Sequence, residues 1–171
     1  MISKIIWRQH EVEELCKEMN RVTNGYVGLT SGYFNPFVHL GHLALLRGCK
    51  NWCDFLVVVV NGTESTKRKY GEDTIPVEDR LEYISHIRWV DAVIDYDDDN
   101  DNMGQAILDI RPQRFLKGGD RQLKDNTIKT KEIEACKAVG CEIIDGVGGY
   151  NKIQSNSAIL AEYRERILRS E

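Results

Sequence analysis

"FLVVVVN", residues 55–61, holds an unbroken apolar run of six residues including four consecutive valines. A strand with one wet face alternates apolar and polar positions. A continuous β-branched run instead suits a parallel strand covered on both sides. The run is far below the ~20 residues needed to cross a bilayer. It is therefore expected at the centre of a sheet in a protein that does not span a membrane.

The flanking segments fit that placement. Before the run, "YVGLTS" (26–31) reads as a strand, and His39 to Lys50 reads as a helix burying Leu40, Leu43, Leu46 and Cys49, or Ala44 and Leu45. After it, "PVEDRLEYISHIRWV" (76–90) opens with proline and acidic residues and reads as a helix. "DAVIDY" (91–96), "RFLKG" (114–118) and "CEIID" (141–145) read as strands, separated by helical patterns at Gly104 to Ile110 and Ile128 to Val139. A last helix is predicted from Ser157 to Leu168, and Val12, Leu15, Cys16 and Met19 recur at helical spacing near the start, ahead of a stop at Asn24-Gly25. Alternating strands and helices predict a Rossmann-like α/β fold, an open parallel sheet with helices on both faces, with the N-terminal helix as an addition to it. Ligands of such sheets sit outside the carboxyl ends of the strands, near the topological switch point.

Length and composition narrow the function. The 171 residues suit one domain, with 42% hydrophobic and 29% charged residues and three prolines. A net charge of −4 lacks the basic footprint of a general nucleic-acid binder, so an anionic partner must be met locally. Five cysteines, an odd set with no leader-like segment before them, point to a reducing cytoplasm without disulfides. In "DYDDDNDN", aligned as a calcium loop from Asp97, Asn102 stands where glycine is wanted and Leu108 where a bidentate glutamate is needed, so it reads as a solvated acidic loop. Neither a Walker phosphate loop nor Gly-x-Gly-x-x-Gly occurs.

Two of the four histidines stand together in "SGYFNPFVHLGH", Ser31 to His42, where the first strand hands over to a helix. One could cap the helix while the other packs in the core. Both could join Cys49 and Cys53 on a metal, although four ligands strung along one helix cannot close a tetrahedron. Or both could aim donors at an anion, where free N–H groups and the helix dipole already favour negative charge and Gly41 allows close approach.

This stretch resembles the Gly-x-Phe-Asp-x-x-His-x-Gly-His signature of the cytidylyltransferase-like nucleotidyltransferase superfamily, nearest in spelling to the adenylyltransferase domain of ADP-heptose synthase and to glycerol-3-phosphate cytidylyltransferase. The likeness runs from about Val27 to Ile159 and sets residues 25–171 as the nucleotidyltransferase domain behind a helical extension of residues 1–24. It implies that His39 and His42 contact the triphosphate and stabilise the pentacoordinate α-phosphorus, with Gly32, Tyr33, Phe34, Asn35 and Gly41 around the nucleotide. Asn35 replaces the family aspartate, and Pro36, Phe37 and Val38 make the following loop one residue longer than the common pattern.

Three further stretches carry the likeness. "STKRKYGEDTIPVEDR" resembles a segment in which a lysine and an arginine reach the reactants, here Lys67 as a catalytic residue and Arg80 as a substrate-binding one. "LKGGDR" resembles the family's Lys-Gly-Gly-Asp at the active-site rim, giving Lys117, Gly118 and Asp120. In "GVGGYNKIQSNSAIL", Ser155, Asn156 and Ser157 match a short motif for the β and γ phosphates, while capping alone would explain one of them. The resemblance implies a magnesium-dependent enzyme that couples a phosphorylated small molecule to the nucleotidyl group of CTP or ATP, with a lean to CTP, and releases pyrophosphate. The alternative is a nucleotide-binding sensor or regulatory module of the same fold with little or no turnover. Neither nucleic acid nor membrane is expected as a partner, and a homodimer is left open.

Overall fold

A computed structural model describes residues 5–98, 102–119, 121–150 and 155–169. Six parallel strands form one sheet: β1 (Ile6–Trp7), β2 (Val27–Gly32), β3 (Phe55–Asn61), β4 (Ala92–Tyr96), β5 (Arg114–Gly118) and β6 (Glu142–Val147), in the order β1-β4-β3-β2-β5-β6. The helices are α1 (Val12–Val22), α2 (Leu40–Cys49), α3 (Thr63–Tyr70), α4 (Val77–Ser85), α5 (Gly104–Ile110), α6 (Thr130–Val139) and α7 (Asn156–Leu168). The fold is the Rossmann-like α/β sheet expected from the sequence.

The valine run is buried along its whole length because it belongs to two cores at once. Phe55, Val57 and Val59 pack with α1, α5 and α6 on one face. Leu56, Val58 and Val60 pack with α2 and α4 on the other. Period-two geometry sends successive side chains to opposite faces, so only a continuous apolar run can serve both. β2 then lies between β3 and β5, and the chain leaves it first towards β3 and β4 and later returns to lay β5 on its other side. That reversal makes the β2–β5 boundary the switch point at which a crevice opens.

Three elements differ from the sequence reading. The N-terminal helix is more than an addition, since Leu15 and Met19 lie in the same core as β3, and Ile6 and Trp7 ahead of it pair with Val93 and Ile94 as an edge strand. In α2 the buried residues are Leu46 and Cys49, while Leu40 is exposed at the helix start. The basic stretch after β3 is a helix, α3. Its first turn is capped from afar, Ser65 N donating to Asp97 Oδ1 at 2.9 Å, and Gly71 stops it in the left-handed region at φ 85°. The five cysteines are all unpaired by disulfides, and no helix among the described residues is long and apolar enough to cross a membrane.

Candidate active site

A cavity of about 470 Å³ opens over the carboxyl ends of β2, β3, β5 and β6, at the switch point. One wall is the start of α2, where two histidines build a reciprocal cap. His39 Nδ1 accepts from Gly41 N at 3.1 Å, and His42 Nδ1 accepts from His39 N at 3.3 Å. The rings stack with centroids 3.8 Å apart. A ring nitrogen that accepts a main-chain N–H cannot carry the proton, so both neutral imidazoles hold theirs on Nε2. Burial, and secondarily the neighbouring His39, push the His42 pKa down to about 3. The pair therefore offers uncharged Nε2–H donors at neutral pH. The sequence left open a single capping histidine, whereas both histidines take part in the cap.

The loop that delivers these histidines is held by side chains at four of its main-chain oxygens. Arg80 Nη1 donates to Tyr33 O at 2.9 Å, the Tyr83 hydroxyl donates to Phe34 O, and Asn156 Nδ2 donates to Asn35 O at 2.6 Å and Phe37 O at 3.0 Å. Asn35 Oδ1 accepts from Ile75 N at 3.1 Å. Phe34 sits in the left-handed region at φ 51° with its ring buried 4.9 Å from that of His42. A Cβ on Gly32 would lie 2.9 Å from the Phe34 ring, so glycine there makes room for it. The extra loop residue is thus absorbed in a bend with all these oxygens satisfied.

The start of α7 forms a further wall of the cavity, next to the histidine loop. Ser155 caps that helix, accepting from Ala158 N at 3.3 Å, and Ser157 lines the cavity beside it. Asn156 is the one buried residue of α7. Its Oδ1 has no hydrogen-bond partner. Between α2 and α7 the wall is main chain. Gly148, at φ 82°, lies so close to α2 that a Cβ would come within 2.8 Å of the Ala44 carbonyl carbon. A side chain at Gly119 would collide with Gly149 O.

The cavity thus brings together His39, His42, Gly32, Tyr33, Phe34, Gly41, Lys117, Gly118, Ser155, Asn156 and Ser157. Three of the assigned side chains lie outside that set, and a fourth, Asn156, is partly committed elsewhere. Lys67 points away: its side chain is 52% exposed and pairs with Glu64 at 3.0 Å on the outer side of α3. Two helical positions are 200° apart, so Lys69 reaches the cavity instead, its Nζ 3.9 Å from the Tyr33 ring centroid. Arg80 is fully buried below the site and spends its guanidinium on Ile75 O, Tyr33 O, Asn61 O and Asp73. Asn35 is buried in the loop and does not line the cavity. The amide nitrogen of Asn156 is committed to that loop rather than to a ligand. Asp120 lies outside the described residues.

Residues that the sequence reading passed over also face the cavity, among them Tyr70, Arg121, Lys129 and Glu132. Tyr70 packs edge-on against Tyr33 with centroids 5.5 Å apart. Helical periodicity applied to "TESTKRKY" sets Lys69 200° from Lys67, but only the packing of the helix tells which of the two faces the cavity. No cluster of three His, Cys, Asp or Glu side chains among the described residues could hold a metal ion.

The family model for cytidylyltransferase-like proteins matches residues 29–165. The bifunctional protein HldE of Rhodopseudomonas palustris is 30% identical over 165 residues, 95% of this chain and 31% of that protein. HldE of Yersinia pestis is 34% identical over 139 residues, 75% of this chain and 27% of that protein. The chain therefore spans about a third or less of the curated relatives it matches. Among solved structures, the lipopolysaccharide core biosynthesis protein of Thermoplasma volcanium superposes with a TM-score of 0.60 at 22% identity, over 75% of this chain and all of that one. Pantoate-beta-alanine ligase of Francisella tularensis gives 0.55 at 12% identity, over 84% of this chain and 66% of that one. At these identities the two structures support the fold alone.

Proposed function

The chain belongs to the cytidylyltransferase-like family, and from that premise we propose that it transfers the nucleotidyl group of a nucleoside triphosphate to a phosphorylated small molecule. In this reaction an oxygen of the acceptor phosphate forms a bond to the α-phosphorus, the bond from that phosphorus to the β-phosphate bridging oxygen breaks, and pyrophosphate leaves with its electron pair. The observation that carries the reading is the histidine cap of α2 at the mouth of the sheet. Two neutral Nε2–H donors beside a helix N-terminus suit charge that builds on the α-phosphoryl oxygens, and they need no change of protonation during the step. The N-terminus of α7, with Ser155 and Ser157, would hold the far phosphates, and Lys69 would neutralise charge at the cavity's β3 side. Positioning and charge stabilisation then supply the catalysis.

The relatives matched by sequence are HldE proteins. The motifs resemble the adenylyltransferase domain of ADP-heptose synthase, and this favours ATP over CTP and a sugar phosphate as acceptor. Magnesium would be carried mainly by the triphosphate, since the described residues supply no carboxylate cage and this ion commonly rides on substrate phosphates. When bound it would add positive charge at those phosphates.

A melting series with ATP, CTP, GTP and UTP plus magnesium tests the reading, followed by pyrophosphate release with a panel of sugar phosphates. A triphosphate at ~100 times its dissociation constant stabilises the fold by roughly 2.7 kcal/mol, which raises Tm by about 5–10 °C at this size. Stabilisation by ATP with pyrophosphate release supports an adenylyltransferase. Binding without release supports a sensor, and stabilisation by none of the four rejects the proposal.

A further inference from the structure

Two charged residues are buried among the described ones, Arg80 and Glu132. Arg80 belongs to the scaffold of the histidine loop, whereas Glu132, in the first turn of α6, reaches the cavity wall. A carboxylate removed from water needs donors around it. The Oε1 atom of Glu132 accepts from Met103 N at 3.2 Å, which satisfies the main chain where α5 begins. Both of its oxygens lie 3.4 Å from Lys117 Nζ, near the end of β5. The Lys117 side chain is only 13% exposed, and its Nζ lies 4.5 Å from the Phe115 ring centroid. One carboxylate is thus held by main chain on one side and holds an ammonium on the other.

An ammonium carries three N–H donors. Glu132 is the hydrogen-bond acceptor of Lys117 among the described residues, and at 3.4 Å the pair is longer than the roughly 2.8 Å of a closed ion pair. The ammonium is therefore held without being spent, and Lys117 lines the cavity, so its other protons are open to a molecule bound there. Burial pulls Lys117 below the ordinary lysine range, and Arg121 and Lys129 push the same way. The Cys136 thiol, one turn beyond Glu132 on α6, feels both members of the pair. Among the charged neighbours of Lys117, Glu132 is the one that favours its charged form.

Resting on the nucleotidyltransferase reading, we propose that Glu132 is a positioning residue for that reaction, holding the Lys117 ammonium at the cavity wall so that its remaining protons meet a phosphate oxygen of the reactants. That oxygen belongs either to the triphosphate or to the acceptor phosphate. Both present the same chemistry to an ammonium, and the two sources separate experimentally. The cap on α5 is a distinct duty, because Glu132→Gln keeps an oxygen for Met103 N while removing the charge.

The test compares the parent chain with E132Q, K117Q and the double variant. Lysine labelled with carbon-13 at Cε reports the charge of Lys117, whose resonance is the one missing from K117Q. It should titrate about one pH unit or more lower in E132Q than in the parent. Affinity is measured calorimetrically, with magnesium and whichever of α,β-methylene-ATP and α,β-methylene-CTP binds the parent, and then with inorganic phosphate on the analogue-saturated chain. E132Q should lose about tenfold or more for one of these probes, the analogue if Lys117 meets the triphosphate and phosphate if it meets the acceptor. In the K117Q background E132Q should add nothing further, as expected of a residue that acts through another. Should E132Q fail to fold, E132D keeps the carboxylate but withdraws it from Lys117, and the same loss of probe affinity is expected. A folded variant that binds both probes as the parent does makes Glu132 a cap of α5 and overturns the proposal. An undiminished effect of E132Q in the K117Q background overturns it too. If neither analogue binds the parent, the nucleotidyltransferase reading is what fails; a shifted Lys117 titration then still upholds the grip of Glu132 on the ammonium, and an unshifted one removes it.

Discussion

Asn156 donates its amide to the main-chain oxygen of Asn35 at 2.6 Å, tying the first residue of α7 to the loop after β2 across 121 positions of sequence. The same amide reaches Phe37 O, so one side chain couples the histidine loop to the α7 end of the cavity. Asn156→Ala should leave two oxygens without this donor, at a cost of about 1–3 kcal/mol. Because no other residue of α7 is buried, amide hydrogen exchange should accelerate mainly in α7. Triphosphate affinity should fall by more than the stability loss explains. Equal exchange rates in parent and variant would show that α7 is held by something else.

Lys69 and Lys67 should behave oppositely. Lys67→Ala removes an exposed ion pair with Glu64, a contact worth about 0.3–0.5 kcal/mol, and should leave turnover nearly unchanged. Lys69→Ala removes the cation that lies on Tyr33 in the cavity and should lower kcat/KM at least tenfold. The pair of variants assayed side by side checks the 200° separation on α3.

His42 ties stability to pH. Its folded pKa of about 3 lies below the ordinary value of 6.5, so between these limits the unfolded chain binds more protons. Stability should therefore fall as pH drops from about 6.5 towards 3, and the His42→Gln variant should lose part of that slope. Chemical denaturation at pH 4.5 and 7.5 measures it. Turnover of His42→Gln should drop by a factor corresponding to about 2.7–4 kcal/mol, the usual loss for one such donor. A pH slope identical in the two proteins would contradict the buried neutral imidazole.

Arg80 should prove to be a positioning residue. Its side chain is fully buried and joins Asp73 at 3.0 Å to the main-chain ends of β2 and β3. Arg80→Met leaves Asp73 without its charge partner and should cost about 3–5 kcal/mol. Arg80→Lys keeps the charge but loses the fork that spans several oxygens, so it should recover part of the stability. In Arg80→Lys, kcat should fall more than triphosphate affinity, because the histidine loop loses its anchor at Tyr33 O while the Ser155 cap of α7 keeps its own hydrogen bond. Full activity in a stable Arg80→Lys would reject that role.

The sheet could be read from residues alone, because local rules govern it. Four consecutive valines can be buried only by two faces, and β5 was read residue for residue at Arg114–Gly118. The histidine pair was legible for a similar reason, since a cap acts within one turn and His39, Gly41 and His42 lie within it. By contrast, α3 has no local N-cap side chain, and the group that caps it is Asp97, 32 residues away. β1 is only two residues long and exists through its pairing with β4.

Spelling therefore determined which chemistry the chain carries: a doubly covered parallel sheet, a histidine cap at a strand-to-helix turn, and glycines where main chain must approach main chain. Tertiary structure alone decided which charges reach the cavity. Lys67 and Lys69 are neighbours in sequence, yet helix geometry turns one to solvent and the other to Tyr33. Arg80 occurs in a motif that suggests ligand contact, yet burial and four main-chain and carboxylate partners fix it as part of the scaffold. Arg121 shares the "LKGGDR" stretch with Lys117, whereas Lys129 and Glu132 lie outside it and come to the same cavity through the tertiary fold. The physical reason is range: capping and strand patterning act over a few residues, whereas the direction of a charged side chain depends on every element packed around it.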